Sequence, residues 1–72
     1  MKKDIFIHII AKISKTPKKK IKMSLRLELL NYWDSLIAIQ ILSEFEKKSK
    51  KKISITKFAK AKIINDLYKT IK

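Results

Sequence analysis

Three separate segments of this 72-residue chain repeat one apolar spacing. Phe6, Ile9, Ile10 and Ile13 stand at i, i+3, i+4 and i+7; so do Ala38, Ile41, Leu42 and Phe45, and Ile64, Leu67, Tyr68 and Ile71. Each set falls on one side of an α-helix and makes a stripe that packing must cover. No segment alternates apolar and polar residues between turn signals, so no sheet is expected. The pattern predicts an all-α fold: a small up-down helical bundle of three main helices plus one short helix, with a long first loop.

The first helix is expected over about residues 3–14, ending before Thr16-Pro17, because proline disfavours helix at the residue before it. A connection from about Lys15 to Trp33 follows, unusually long for so small a domain. Its basic run Lys18-Lys19-Lys20 reads as solvated, and its Ile21, Met23, Leu25, Leu27, Leu29 and Leu30 as tucked onto the helices. The second helix opens with Asp34 or Ser35 as N-cap and ends in the lysine run 47–52. A short helix capped by Ser54 or Thr56 fits between Ile53 and Lys62, and the last helix runs from about Ile63.

This length makes one domain, residues 1–72, whose large apolar residues are all needed for packing, which leaves no room for a deep enzyme pocket. Without Cys there is no disulfide, thiolate nucleophile or Cys-based metal site. Asp4, His8 and Lys12 interrupt the apolar N-terminal stretch, so it does not read as a signal peptide, and the run from Leu36 to Leu42 is too short to span a bilayer. A cytoplasmic location fits these features. His8 is the only His, with Asp4 and Lys12 as its helical neighbours, and reads as a surface side chain. Glu44 and Glu46 point to different faces of a helix. No Gly-rich phosphate loop exists, since the chain has no Gly. No catalytic residue and no metal site is expected, and the protein is not expected to be an enzyme by itself.

The net charge is +13, with +7 on residues 1–33 and +6 on residues 34–72. Such a balance attracts nucleic acid, anionic lipid or acidic proteins. Yet eighteen of the nineteen basic residues are Lys, and Ile is also abundant. Both can use A/T-rich codons, so compositional drift gives the same pattern. Bidentate nucleic-acid recognition draws on Arg, and only Arg26 is present.

The most informative stretch is Tyr32-Trp33-Asp34-Ser35-Leu36-Ile37, where a polar loop becomes an apolar helix. It sets a serine hydroxyl at a helix N-terminus, where free N–H groups and the helix dipole favour an anion such as a phosphodiester. At 100° per residue, Ile37, Ala38, Ile39, Ile41, Leu42 and Phe45 cover an apolar arc from about 100° to 300°, taking Leu36 as zero. The remaining wedge holds Leu36, Gln40, Ser43 and Glu44. A leucine there, beside the serine, reads as a contact point for a partner that must approach Ser35. Trp33 reads as a loop anchor covering the core.

Trp33-Asp34-Ser35-Leu36, with Glu44 to Lys48 after it and Ile53 to Ile71 downstream, resembles the acyl carrier protein family, in which Asp-Ser-Leu opens the second helix. Ile5 to Ile13 looks like the family's first helix, Ile21 to Leu30 like its long loop, Ser54 to Ala61 like its short third helix and Ile63 to Ile71 like its last. The resemblance implies a 4′-phosphopantetheine arm carried covalently on Ser35. It implies partner recognition through Trp33, Asp34, Leu36, Gln40 and Glu44. The partners it implies are a phosphopantetheinyl transferase, a loading ligase for acyl or aminoacyl groups, and acyltransferases, with the carrier itself a monomer. Trp before Asp is similar to carriers of surface-polysaccharide and other specialised pathways. Three departures stand out. Tyr32 occupies the position where the family commonly has Gly. The Phe that often ends the family's second helix aligns with Ser49, so Phe45 must anchor that end. Finally, the family's second helix is acidic, whereas here Lys47, Lys48, Lys50, Lys51 and Lys52 follow Glu44 and Glu46. That charge points to a dedicated set of partners.

The alternative function is a small basic helical module that binds nucleic acid or an anionic surface, with an affinity that falls steeply with salt. Its lysines cluster at 15–22 and 47–52, on predicted loops and helix ends, and form no stripe along one recognition helix. No aromatic stacking platform accompanies them. No stable nucleic-acid partner is therefore expected.

Overall fold

In a computed structural model, which describes residues 1–71, the chain forms four α-helices: α1 (Lys3–Ser14), α2 (Ser35–Ser49), α3 (Ile55–Ala59) and α4 (Ile64–Ile71). Among the described residues there is no strand, and the fold is a small all-α bundle of three main helices and a short one. Each expected stripe faces inward. Phe6, Ile9 and Ile10 of α1, Ile41, Leu42 and Phe45 of α2, and Ile64, Leu67 and Ile71 of α4 are buried, with Phe58 added by α3. Four aromatic rings join all four helices. Phe6 stacks on Phe45 with centroids 5.2 Å apart, while Tyr68 meets Phe6 edge-on at 4.9 Å and Phe58 meets Phe45 edge-on at 6.2 Å. Such pairs contribute about 0.5–1.5 kcal/mol each beyond area burial. Phe45 thus anchors the second half of α2.

With no glycine, the chain closes its helices on lysine. Lys15 after α1 and Lys50 after α2 both take the left-handed conformation at φ 55°, and their N–H groups donate to Ala11 O and Glu46 O. One of the last-turn carbonyls of α1 and one of α2 is satisfied in this way, at a cost of roughly 1–2 kcal/mol of backbone strain per non-glycine residue. The third left-handed residue is Tyr32, at φ 57°. The N-cap of α3 is Ser54, whose hydroxyl accepts from Lys57 N–H.

The long first connection is more ordered than its sequence indicates. It contains two 3-10 turns, Lys18–Lys20 and Leu27–Leu29. Leu27 and Leu30 are buried, Met23 and Leu25 are partly buried, and Ile21 is buried, as expected. Leu29 is not tucked in; it is 63% exposed. The turn explains this: three residues per turn put Leu27 and Leu30 on one side and leave Leu29 outside. The connection is fastened to the start of α4. Leu27 N–H donates to Lys62 O, Ile64 N–H to Leu25 O and Asn65 N–H to Met23 O, all at 2.8–2.9 Å. Two of these donors would otherwise be the orphan first-turn N–H groups of α4. Asp66 completes that helix start, because its Oδ2 accepts from Lys62 N–H and Ile63 N–H. Those two backbone bonds, Lys62 first, hold the Asp66 carboxyl below its ordinary pKa.

No helix among the described residues is long and apolar enough to cross a membrane.

Candidate functional site

Asp34 is the N-cap of α2. Its backbone is extended (φ −157°, ψ −176°), its Oδ1 accepts from Ile37 N–H at 2.8 Å, and its carbonyl accepts from Ala38 N–H at 2.9 Å. With the cap made by Asp34, Ser35 is the first residue of the helix, and its exposed hydroxyl has no hydrogen-bond partner among the described residues. Among the other serines, Ser24 and Ser43 are likewise exposed and without a side-chain hydrogen bond among the described residues, whereas three are used locally. Ser14 is buried and bonded to Ile10 O, Ser49 bonds back to Phe45 O, and Ser54 caps α3.

A network absent from the sequence reading sets the approach to this serine. Thr16, just past α1, is buried, and its Oγ1 accepts from Asn31 N–H at 3.0 Å. Asn31 Nδ2 donates to Lys15 O at 3.1 Å, and Ser14 Oγ lies 3.1 Å from Thr16 Oγ1. The end of α1 therefore holds the chain three residues before Asp34. Tyr32 then turns it through the left-handed conformation, and Trp33, half-buried against the core, fixes the entry to the helix. Thr and Asn in loops are common, so only their pairing across fifteen residues marks them.

Beside Ser35 lies a half-open apolar groove of ≈ 460 Å³ between α2 and α3. Trp33, Asp34 and Ser35 form its end, Ala38, Ile39 and Leu42 one wall, and Ile55, Phe58, Ala59 and Ala61 the other. Ile39, the last residue of the apolar arc, is 61% exposed. At about 300° on the helix wheel it sits at the edge of that arc, over the groove rather than over the core. The signal was present: Ser35, Ile39 and Leu42 stand at i, i+4 and i+7, in one row. Ile55, on the opposite wall, is 69% exposed.

The other expected recognition residues divide. Leu36 is 63% exposed next to Ser35. Gln40 and Glu44 line a second groove, of ≈ 430 Å³, between α1 and α2, together with His8, Lys12, Ser43 and Lys48. Trp33 and Asp34 thus share the groove of Ser35, and Gln40 and Glu44 do not. Glu44 is partly buried and lies 3.8 Å from Lys47 Nζ. Among the described residues no group of three or more His, Cys, Asp or Glu is placed to hold a metal ion.

No family model matches the sequence, and a search of curated proteins finds no match.

Proposed function

We propose that the protein is a carrier that holds acyl or aminoacyl groups on a 4′-phosphopantetheine arm attached to Ser35 and presents them to partner enzymes. The observation that carries this reading is the Ser35 hydroxyl: exposed, unbonded, and set at the start of a 15-residue helix whose capping is done by the neighbouring Asp34. A phosphodiester at that oxygen sits against the positive end of the helix dipole. The apolar groove that begins at Ser35 offers the flexible arm a surface to lie along. The backbone at Tyr32 adds support. Where the resembled family has glycine, this chain has a tyrosine held at φ 57°, a conformation that glycine adopts without cost.

In this reading Ser35 Oγ attacks the pantetheine-side phosphorus of coenzyme A on a transferase. The hydroxyl proton passes to a base of that enzyme, the P–O bond to the nucleotide breaks, and adenosine 3′,5′-bisphosphate leaves. The attached arm supplies a thiol that forms thioesters. The chain contributes the anchor, the helix and the groove, and catalysis belongs to the partners.

The alternative, a basic module for nucleic acid, has less support. Lys18–Lys20 form a 3-10 turn in the first loop, and of the second cluster Lys47 and Lys48 occupy only the last turn of α2 while Lys50 to Lys52 follow its end, so no run of lysines extends along a recognition helix. The experiment is intact mass after incubation with coenzyme A and the transferase of the source organism. A gain of one phosphopantetheinyl group, absent from Ser35→Ala, is expected. No gain on the folded protein refutes the carrier reading.

A further inference from the structure

Every carboxylate in and around α2 is engaged by the chain itself. Asp34 accepts from Ile37 N–H at 2.8 Å, Glu44 lies against Lys47, and Glu46 Oε2 accepts from Ile53 N–H at 2.9 Å. Elsewhere Glu28 pairs with Arg26, and Asp66 caps α4. These carboxylates keep their charge but are each tied to a neighbour in the chain. The exposed face of the helix that begins at Ser35 is of another kind. Leu36, Ile39, Ser43 and Lys47 fall within about 80° of helix circumference, and Lys50 follows at the C-cap just past the helix end. All five are exposed. The face is therefore apolar beside Ser35 and cationic at its far end. Five lysines stand between 47 and 52 against Glu44 and Glu46, a local excess of positive charge.

Resting on the carrier reading, we infer that the enzymes acting on Ser35 dock on this face, and that their own docking surface is acidic around an apolar centre. The apolar centre covers Leu36 and Ile39, two large side chains whose exposure the fold does not use. The acidic surround meets Lys47 and Lys50. Charge complementarity of this kind raises the association rate, and salt weakens it. A partner with a basic docking surface meets repulsion at Lys50 and at Lys47, the latter reduced by Glu44 at 3.8 Å.

The test is the kcat/KM of Ser35 modification by the source organism's transferase with coenzyme A, followed by intact mass. For the unmodified chain kcat/KM should fall several-fold as monovalent salt rises from about 50 to 500 mM. The double variant Lys47→Glu/Lys50→Glu and the single variant Ile39→Asp should each lose roughly tenfold or more. Lys18→Glu/Lys19→Glu, the same charge change on the first loop, should stay within about twofold. Circular dichroism establishes that each variant is folded, and the salt dependence needs no variant. Modification that is indifferent to salt and to Lys47→Glu/Lys50→Glu, or faster in that variant, overturns the inference and leaves the carrier reading standing. No modification of the parent chain overturns both. The inference also falls if the face proves to serve another occupant. That would appear as self-association, oligonucleotide binding or binding to anionic vesicles that Lys47→Glu/Lys50→Glu abolishes while transferase kinetics stay unchanged.

Discussion

Asp34 and Ser35 are adjacent, both polar and both at the start of α2, yet only Asp34 caps the helix, and on the proposed carrier reading a pair of alanine substitutions separates cap from anchor. In Asp34→Ala the 2.8 Å bond from Ile37 N–H is lost, and so is a carboxylate at the positive end of a helix dipole. The cap contributes about 1 kcal/mol and the exposed charge about 0.3–1 kcal/mol, so the loss is about 1–2 kcal/mol. A domain of this size has a total stability of about 4–11 kcal/mol, so the loss is a measurable fraction of it. Each kcal/mol should lower Tm by about 4–8 °C. Asp34→Asn, which keeps an oxygen acceptor, should lose only the charge contribution. Ser35→Ala removes no hydrogen bond, and its stability should stay within about 0.5 kcal/mol of the parent. The assay is thermal and urea unfolding of the four chains by far-ultraviolet circular dichroism, with intact mass after transferase treatment as the functional readout. Ser35→Ala should unfold with the parent and carry no modification. If it instead unfolds early, with a loss matching that of Asp34→Ala, the hydroxyl is structural and the separation of anchor from cap is refuted.

Two further outcomes follow from the same geometry. Thr16→Val removes the acceptor of the part-buried Asn31 N–H, which should cost about 0.5–1.5 kcal/mol in urea unfolding and slow modification of Ser35 by loosening Tyr32 to Asp34. Asp66 has its pKa lowered by the Lys62 and Ile63 N–H groups, so its contribution is fully present above the unfolded-state value and is lost as pH falls through the folded one. Stability should therefore decline on acidification from about pH 4 downward. An Asp66→Asn variant should show a shallower decline over the same range, and an unchanged slope would remove Asp66 from the account.

The features legible in the sequence are those fixed within a turn or two of helix. The stripes through Phe6, Phe45 and Leu67 place three helices because the spacing alone decides which side is buried. The cap at Asp34 is legible for the same reason, since it reaches three residues ahead. The groove beside Ser35 is not, because Ile39 can be read as core or as rim until α3 is placed opposite it with Ile55 and Phe58. Nor is the docking of residues 23–27 onto residues 62–65, whose carbonyls and N–H groups carry no side-chain signature at a separation of some forty residues. Leu29 shows the limit of composition alone, since only the 3-10 turn decides that it faces out while Leu27 and Leu30 face in.

Tyr32 joins the two levels. By residue type it is a departure from the resembled family, because a side chain replaces glycine two positions before the capping aspartate. By backbone it is not, since its φ of 57° is the left-handed value that glycine takes freely. The chain holds that conformation from both sides. Asn31 is bonded to Thr16 and Lys15, and Trp33 is packed on the core and donates to Leu30 O. A non-glycine residue there costs roughly 1–2 kcal/mol, against which the part-buried Thr16 bond and the Trp33 contact can be set. Tyr32→Gly relieves that strain but frees the unfolded chain, so the net gain in stability should be small, about 0.5–1 kcal/mol at most. Modification of Ser35 should be unchanged, because the direction in which the chain enters α2 is the same. A Tyr32→Pro variant, which cannot take positive φ, should instead lose both stability and modification. If Tyr32→Pro is modified as fast as the parent, the left-handed turn has no part in presenting Ser35.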